Sequence, residues 1–122
     1  MEHTIELAKA NGYKVYKVKS HDYVRLVTPR RNVLCISKSY WGNGLVFTLM
    51  YKPSKDNGSG CTCHKTSEGF YFGIPDHQMT LEKLEELEDY GCKYANELGA
   101  SLYKDPQEFF DSESRFWKFE EV

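Results

Sequence analysis

The chain has 122 residues, 40% of them apolar, 15% aromatic and 28% charged, with a net charge of −2. That length suits one domain with one core, and the aromatic content with so small a net charge excludes global disorder. No apolar run approaches the roughly 18 residues of a membrane-spanning helix, and Met1 to Thr4 do not open a basic-then-apolar leader. A cytoplasmic protein with no membrane partner is expected.

Thr4 is placed to cap a short helix over residues 5–11, closed by Asn11-Gly12. The period then changes to two: Tyr13, Val15, Tyr16 and Val18 flank lysines, as in a strand with one wet face. Tyr23 to Val27 is a second strand, stopped by Thr28-Pro29, and Val33 to Ser37 a third whose near-continuous apolar run suits the middle of a sheet. Trp41-Gly42-Asn43-Gly44 supplies residues for a tight turn into a fourth strand, Leu45 to Tyr51. Short turns between successive strands predict an antiparallel meander.

Residues 53–68 are polar, glycine-bearing and aperiodic, which predicts a long flexible loop. Phe70 to Ile74 reads as a fifth strand. Thr80 caps the strongest helix, residues 81–98, in which Leu84, Leu87, Gly91, Tyr94 and Leu98 form one apolar stripe ended by Gly99. Asp105-Pro106-Gln107-Glu108 opens a further short helix with a cap, a first-turn proline and a capping-box glutamate. The aromatic tail, Phe116 to Phe119, either joins the sheet edge or covers the core. The expected fold is a single α+β domain over residues 1–122: a meander of four to six strands, a short N-terminal helix, and one long helix packed on one face.

Charge is divided along the chain. Residues 1–52 hold nine bases and three acids, a balance of +6; residues 53–122 hold seven bases and fifteen acids, a balance of −8. Such a split points to an electrostatic partner for one half, or to a basic sheet and acidic helices that neutralise each other. The acidic candidate surface is Glu82, Glu85, Glu86, Glu88 and Asp89 on the long helix, which suits a basic protein partner. The basic candidate surface is Lys14, Lys17, Lys19, Arg25, Arg30 and Arg31 with Tyr40 and Trp41, which suits single-stranded nucleic acid held by charge and ring stacking.

Motifs for chemistry are sparse, and no catalytic residues, enzyme activity or cofactor are expected. Cys61-Thr62-Cys63-His64 offers three soft ligands, with Cys92, Cys35 or His77 as a fourth, but structural zinc sites use wider cysteine spacing and a second pair. A thiol nucleophile at Cys61 or Cys63, with His64 or His77 as base and Asp76 to orient it, requires groups that sequence neighbours rarely supply. Asn57-Gly58-Ser59-Gly60 lacks the other fixed positions of a phosphate loop. The four cysteines are expected as free thiols.

In size, charge and absence of catalytic motifs the chain resembles small accessory and inhibitor proteins of phages and mobile elements, anti-CRISPR proteins among them. That likeness rests on no shared motif. It implies a non-enzymatic protein whose acidic helix occupies a basic nucleic-acid groove on another protein; the chain itself is expected to be a monomer or weak homodimer. Direct nucleic-acid binding by the basic aromatic half is the alternative.

Overall fold

The computed structural model describes residues 1–19, 21–38, 44–52 and 74–122. Helix α1 (Glu2–Ala10) leads into strands β1 (Lys14–Val18), β2 (Val24–Val27), β3 (Val33–Lys38) and β4 (Leu45–Leu49). A 3₁₀ turn (Asp76–Gln78) precedes α2 (Leu81–Glu97), followed by α3 (Pro106–Glu113) and β5 (Phe119–Glu121). The five strands form one antiparallel sheet in the order β4-β3-β2-β1-β5. This is the expected α+β meander, with the aromatic tail contributing an edge strand. The predicted turn at 41–43, the 53–68 loop and most of the 70–74 strand lie outside the described residues; Ile74 itself forms an isolated bridge to Leu45.

Register fixes what each sheet face carries, because side chains alternate with period two. Val15, Leu26, Leu34 and Leu49 lie in one row across four strands, and Val24, Ile36 and Phe47 lie in the next. These residues form the main core with Ile5 and Ala8 of α1 and Leu84, Leu87 and Ala95 of α2. The opposite face carries Tyr16, Val18 and Phe119, and α3 packs there through aromatic rings. Phe110 lies 4.6 Å from the Tyr16 ring and 5.0 Å from Phe119, while the fully buried Phe109 meets Tyr103 and Phe110 edge-on.

The helix starts show which local signals hold. Lys83 N–H donates to Thr80 Oγ1 at 3.1 Å and Gln107 N–H to Asp105 Oδ1 at 3.1 Å, so both predicted caps form. Glu108, expected to complete a capping box, pairs instead with Lys52 at 3.0 Å. Helix α1 departs further: it begins at Glu2, and Thr4 is buried inside it. Its orphan amides are met from a distance, with Asp76 Oδ2 accepting from His3 N–H at 3.0 Å and Oδ1 from Thr4 N–H at 2.9 Å. Burial pushes the Asp76 carboxyl up, but hydrogen bonds from Thr4 and His3 outweigh this and hold it below its usual value.

Candidate functional site

Two stripes run along α2. The inner one, Leu84, Leu87, Glu88, Gly91 and Ala95, is buried against the sheet. The outer one, Glu82, Glu85, Glu86 and Asp89, is exposed. Its spacing of three, four and seven residues lines four carboxylates along about 10 Å of helix surface. Glu86 pairs with Lys83 at 3.1 Å, and Asp89 pairs with Arg30 at 2.7 Å. Among the described residues, Glu82 and Glu85 make no ion pair.

Glu88 corrects the acidic surface expected from the sequence, because it is only 1% exposed and cannot present its carboxylate to solvent. Its Oε2 accepts from Thr28 Oγ1 at 2.6 Å and from Asn32 Nδ2 at 2.8 Å, and Oε1 meets Arg30 at 3.1 Å. These donors belong to the β2–β3 turn, so one carboxylate ties α2 to that hairpin. The turn spans residues 28–32 and closes through Thr28 N–H to the Asn32 carbonyl at 2.9 Å and Arg31 N–H to the Thr28 carbonyl at 2.8 Å. Within it Arg31 takes the left-handed conformation at φ 68°, a position that favours glycine or asparagine. An ion pair at 2.9 Å between Arg31 and Asp105, which also caps α3, holds it there. The buried carboxylate was readable in principle: Glu88 lies four residues after Leu84 and three before Gly91, within the spacing of the apolar stripe.

Beside this lock lies a cleft of about 350 Å³, whose lining includes Asn11, Tyr13, Arg30, Glu85, Glu88 and Asp89. Burial, followed by the Glu88 and Glu85 carboxylates, pushes the Tyr13 hydroxyl up to about 12 against a smaller opposing effect of Arg30. Cys92, whose sulfur is 3.6 Å from Asn32 Nδ2, is also pushed up, first by burial and then by Glu88. Cys92 lies outside the cleft's lining; within it, a phenol held protonated is a poor base, so Tyr13 offers a hydrogen-bond donor beside the carboxylates of Glu85, Glu88 and Asp89.

The basic residues are dispersed. Arg25 is 9% exposed, with its guanidinium 5.8 Å from the Tyr23 ring centre. Arg30 and Arg31 are engaged with Glu88, Asp89 and Asp105. Lys14 projects onto the α3 face, where it lines a cleft with Tyr16 and Phe110, while Lys17 projects to the other face beside Ile5 and Val24. Lys19 borders a second cleft on the α3 side with Tyr16, Phe110 and Trp117. Tyr40, Trp41, Cys61, Cys63 and His64 lie outside the described residues. Among those described, Cys35 and Cys92 form no disulfide and no three metal-ligating side chains converge. No described helix is long and apolar enough to cross a membrane. Comparison of the chain with protein-family models, curated proteins and solved structures finds no match.

Proposed function

We propose that this chain is a non-enzymatic binding protein that engages a basic protein surface through the outer stripe of α2. Glu82, Glu85 and Glu86 carry the contact, with Asp89 at its margin. One observation carries the reading: the arginines of the basic half are occupied by the protein's own acids or buried, whereas these glutamates are exposed on one rigid helix. A helix fixed along its inner face presents charge in constant register, which suits the phosphate-binding groove of another protein. The partner class expected from the chain's size and charge, a protein that itself binds nucleic acid, fits that surface.

The alternative keeps one supporting observation. The two clefts on the α3 side share Tyr16 and Phe110 and carry Lys14 and Lys19, a basic and aromatic setting that suits single-stranded nucleic acid. Asp105, Asp111 and Glu121 border the same clefts and oppose a phosphate backbone. One pair of assays separates the readings. The tagged protein is expected to ignore oligonucleotides in gel shifts and to capture a basic protein, with Glu85→Lys/Glu86→Lys abolishing the capture. Micromolar oligonucleotide binding that persists at about 150 mM salt overturns the leading reading, because weak phosphate contacts are lost by then.

A further inference from the structure

We propose that the β5 edge of the sheet is a self-association surface, on which a second copy of this chain pairs antiparallel, β5 against β5. The inference goes beyond the binding role of α2, which contacts β4, the strand at the opposite edge.

The argument begins with backbone hydrogen bonds. Lys19 N–H donates to Lys118 C=O at 3.0 Å and Val122 N–H to Val15 C=O at 2.9 Å. In an antiparallel ladder alternate residues bond to the neighbouring strand, so Lys118, Glu120 and Val122 turn their polar groups toward β1. Phe119 and Glu121 therefore turn theirs outward, and among the described residues none takes them up. The strand is the last in the sheet order, and Glu120, Glu121 and Val122 are all exposed. An open edge of this kind is a template for another strand.

Side chains select the occupant and its register. When Phe119 of one copy faces Phe119 of the other across a two-fold axis, Lys118 of each copy stands opposite Glu120 of the other, giving two opposite-charge pairs on one face. The two Phe119 residues exchange backbone bonds, and each Glu121 N–H reaches the Trp117 carbonyl of the second copy. Val122 then falls beside the turn carrying Phe116 of the second copy. Phe116 is 66% and Val122 42% exposed, two of the three large apolar side chains left open among the described residues. Moving the axis to Glu120 or Glu121 sets like charges face to face, so charge admits one register. A strand of three residues gives a small interface, and the dimer is correspondingly weak.

Lys118 and Glu120 are exposed and make no ion pair among the described residues, but Glu120 stands opposite Lys17 of β1. The decisive reading is therefore the mixture of the two single variants, which restores the pairs between copies without changing what either variant does to its own fold. Sedimentation equilibrium from about 10 μM to about 1 mM, the range of weak association, is expected to show reversible dimerisation of the native chain. Lys118→Glu alone and Glu120→Lys alone each set like charges in both pairs and weaken the dimer about tenfold or more. An equimolar mixture of the two variants restores both pairs and recovers the native affinity. Hydrogen exchange on the native chain gives a readout free of substitution: the Phe119 and Glu121 amides slow as concentration rises. A native chain that stays monomeric throughout overturns the proposal, as do single variants that dimerise normally, a mixture that recovers nothing, or exchange rates that ignore concentration.

Discussion

Glu85 and Glu88 lie one turn apart on α2 and meet opposite surroundings. Glu85 stands in solvent on the outer stripe, while Glu88 is enclosed between the helix and the β2–β3 turn with three donors on its carboxylate. The two residues are identical in charge and composition, so counting acids assigns them the same role. Their difference is positional: one lies off the apolar stripe and the other within it. Part of the negative charge of the second half is therefore internal mortar, and the arginines it holds are withdrawn from the basic half. The charge division of the sequence is partly neutralised inside the fold and partly left on the surface of α2.

The sharpest way to break this contrast is to remove the buried carboxylate. Glu88→Ala is expected to destabilise by about 2–4 kcal/mol in urea unfolding, because it strands Thr28 and Asn32 and forfeits hydrogen bonds to a charged group. The lower end of that range reflects Arg30, whose side chain is 51% exposed and keeps Asp89 as a partner. Glu88→Gln recovers part of the loss, since an amide accepts from Thr28 but turns a donor toward Arg30 or Asn32. A cost below about 0.5 kcal/mol for Glu88→Ala is the size of a surface change and erases the distinction between the two stripes.

Alkaline pH sharpens the same contrast from the side of Tyr13. Its hydroxyl ionises near 10.0 in the unfolded chain and near about 12 in the fold, where burial and then the carboxylates of Glu88 and Glu85 disfavour the phenolate. Below pH 10 both states keep the proton and stability is at its full value. Between pH 10 and about 12 the unfolded chain gives up its proton first, so stability falls through that window and then levels off. Tyr16 and Tyr103, both raised first by burial, act in the same direction. The expected result is a urea midpoint that declines above pH 10, with a shallower decline in Tyr13→Phe; an identical decline in that variant removes Tyr13 as a cause.

What the sequence could disclose follows the reach of each physical signal. Alternation and turn residues located β1 to β4 within a residue or two, since both act between near neighbours. The caps at Thr80 and Asp105 were legible for the same reason, each bonding an amide within three residues. The start of α1 was not, because its cap is Asp76, more than 70 residues along the chain. Mutual neutralisation of the basic and acidic halves is one of the two readings of the charge split, but which acids hold Arg30 and Arg31 was not legible. Those partners lie on α2 and before α3 and come near only when the sheet and helices pack. Arg25 belongs to the expected basic surface, but it is buried, because its sheet face is covered rather than wet. Glu88 is the instructive case: its position in the stripe was legible, but the donors that make its burial tolerable, Thr28 and Asn32, lie 60 and 56 residues away and leave no local signal.

The smallest expected effect is also the one on which the binding role depends. Glu85→Lys/Glu86→Lys is expected to change folding stability by no more than about 0.5 kcal/mol, because both side chains are exposed and surface pairs contribute little. The double reversal loses the Lys83–Glu86 pair but places new lysines one turn from Glu82 and Asp89, which offsets much of that loss. The helix dipole adds little, since its influence fades beyond the first turn and α2 begins at Leu81. Urea midpoints of the native and doubly substituted chains measure this directly. If they coincide while partner capture is abolished, the outer stripe acts on a partner and not on the fold. If the variant instead loses more than about 1 kcal/mol, the exposed acids share the structural work of Glu88. Loss of capture would then report a damaged helix, and the contrast between the two stripes would be one of degree.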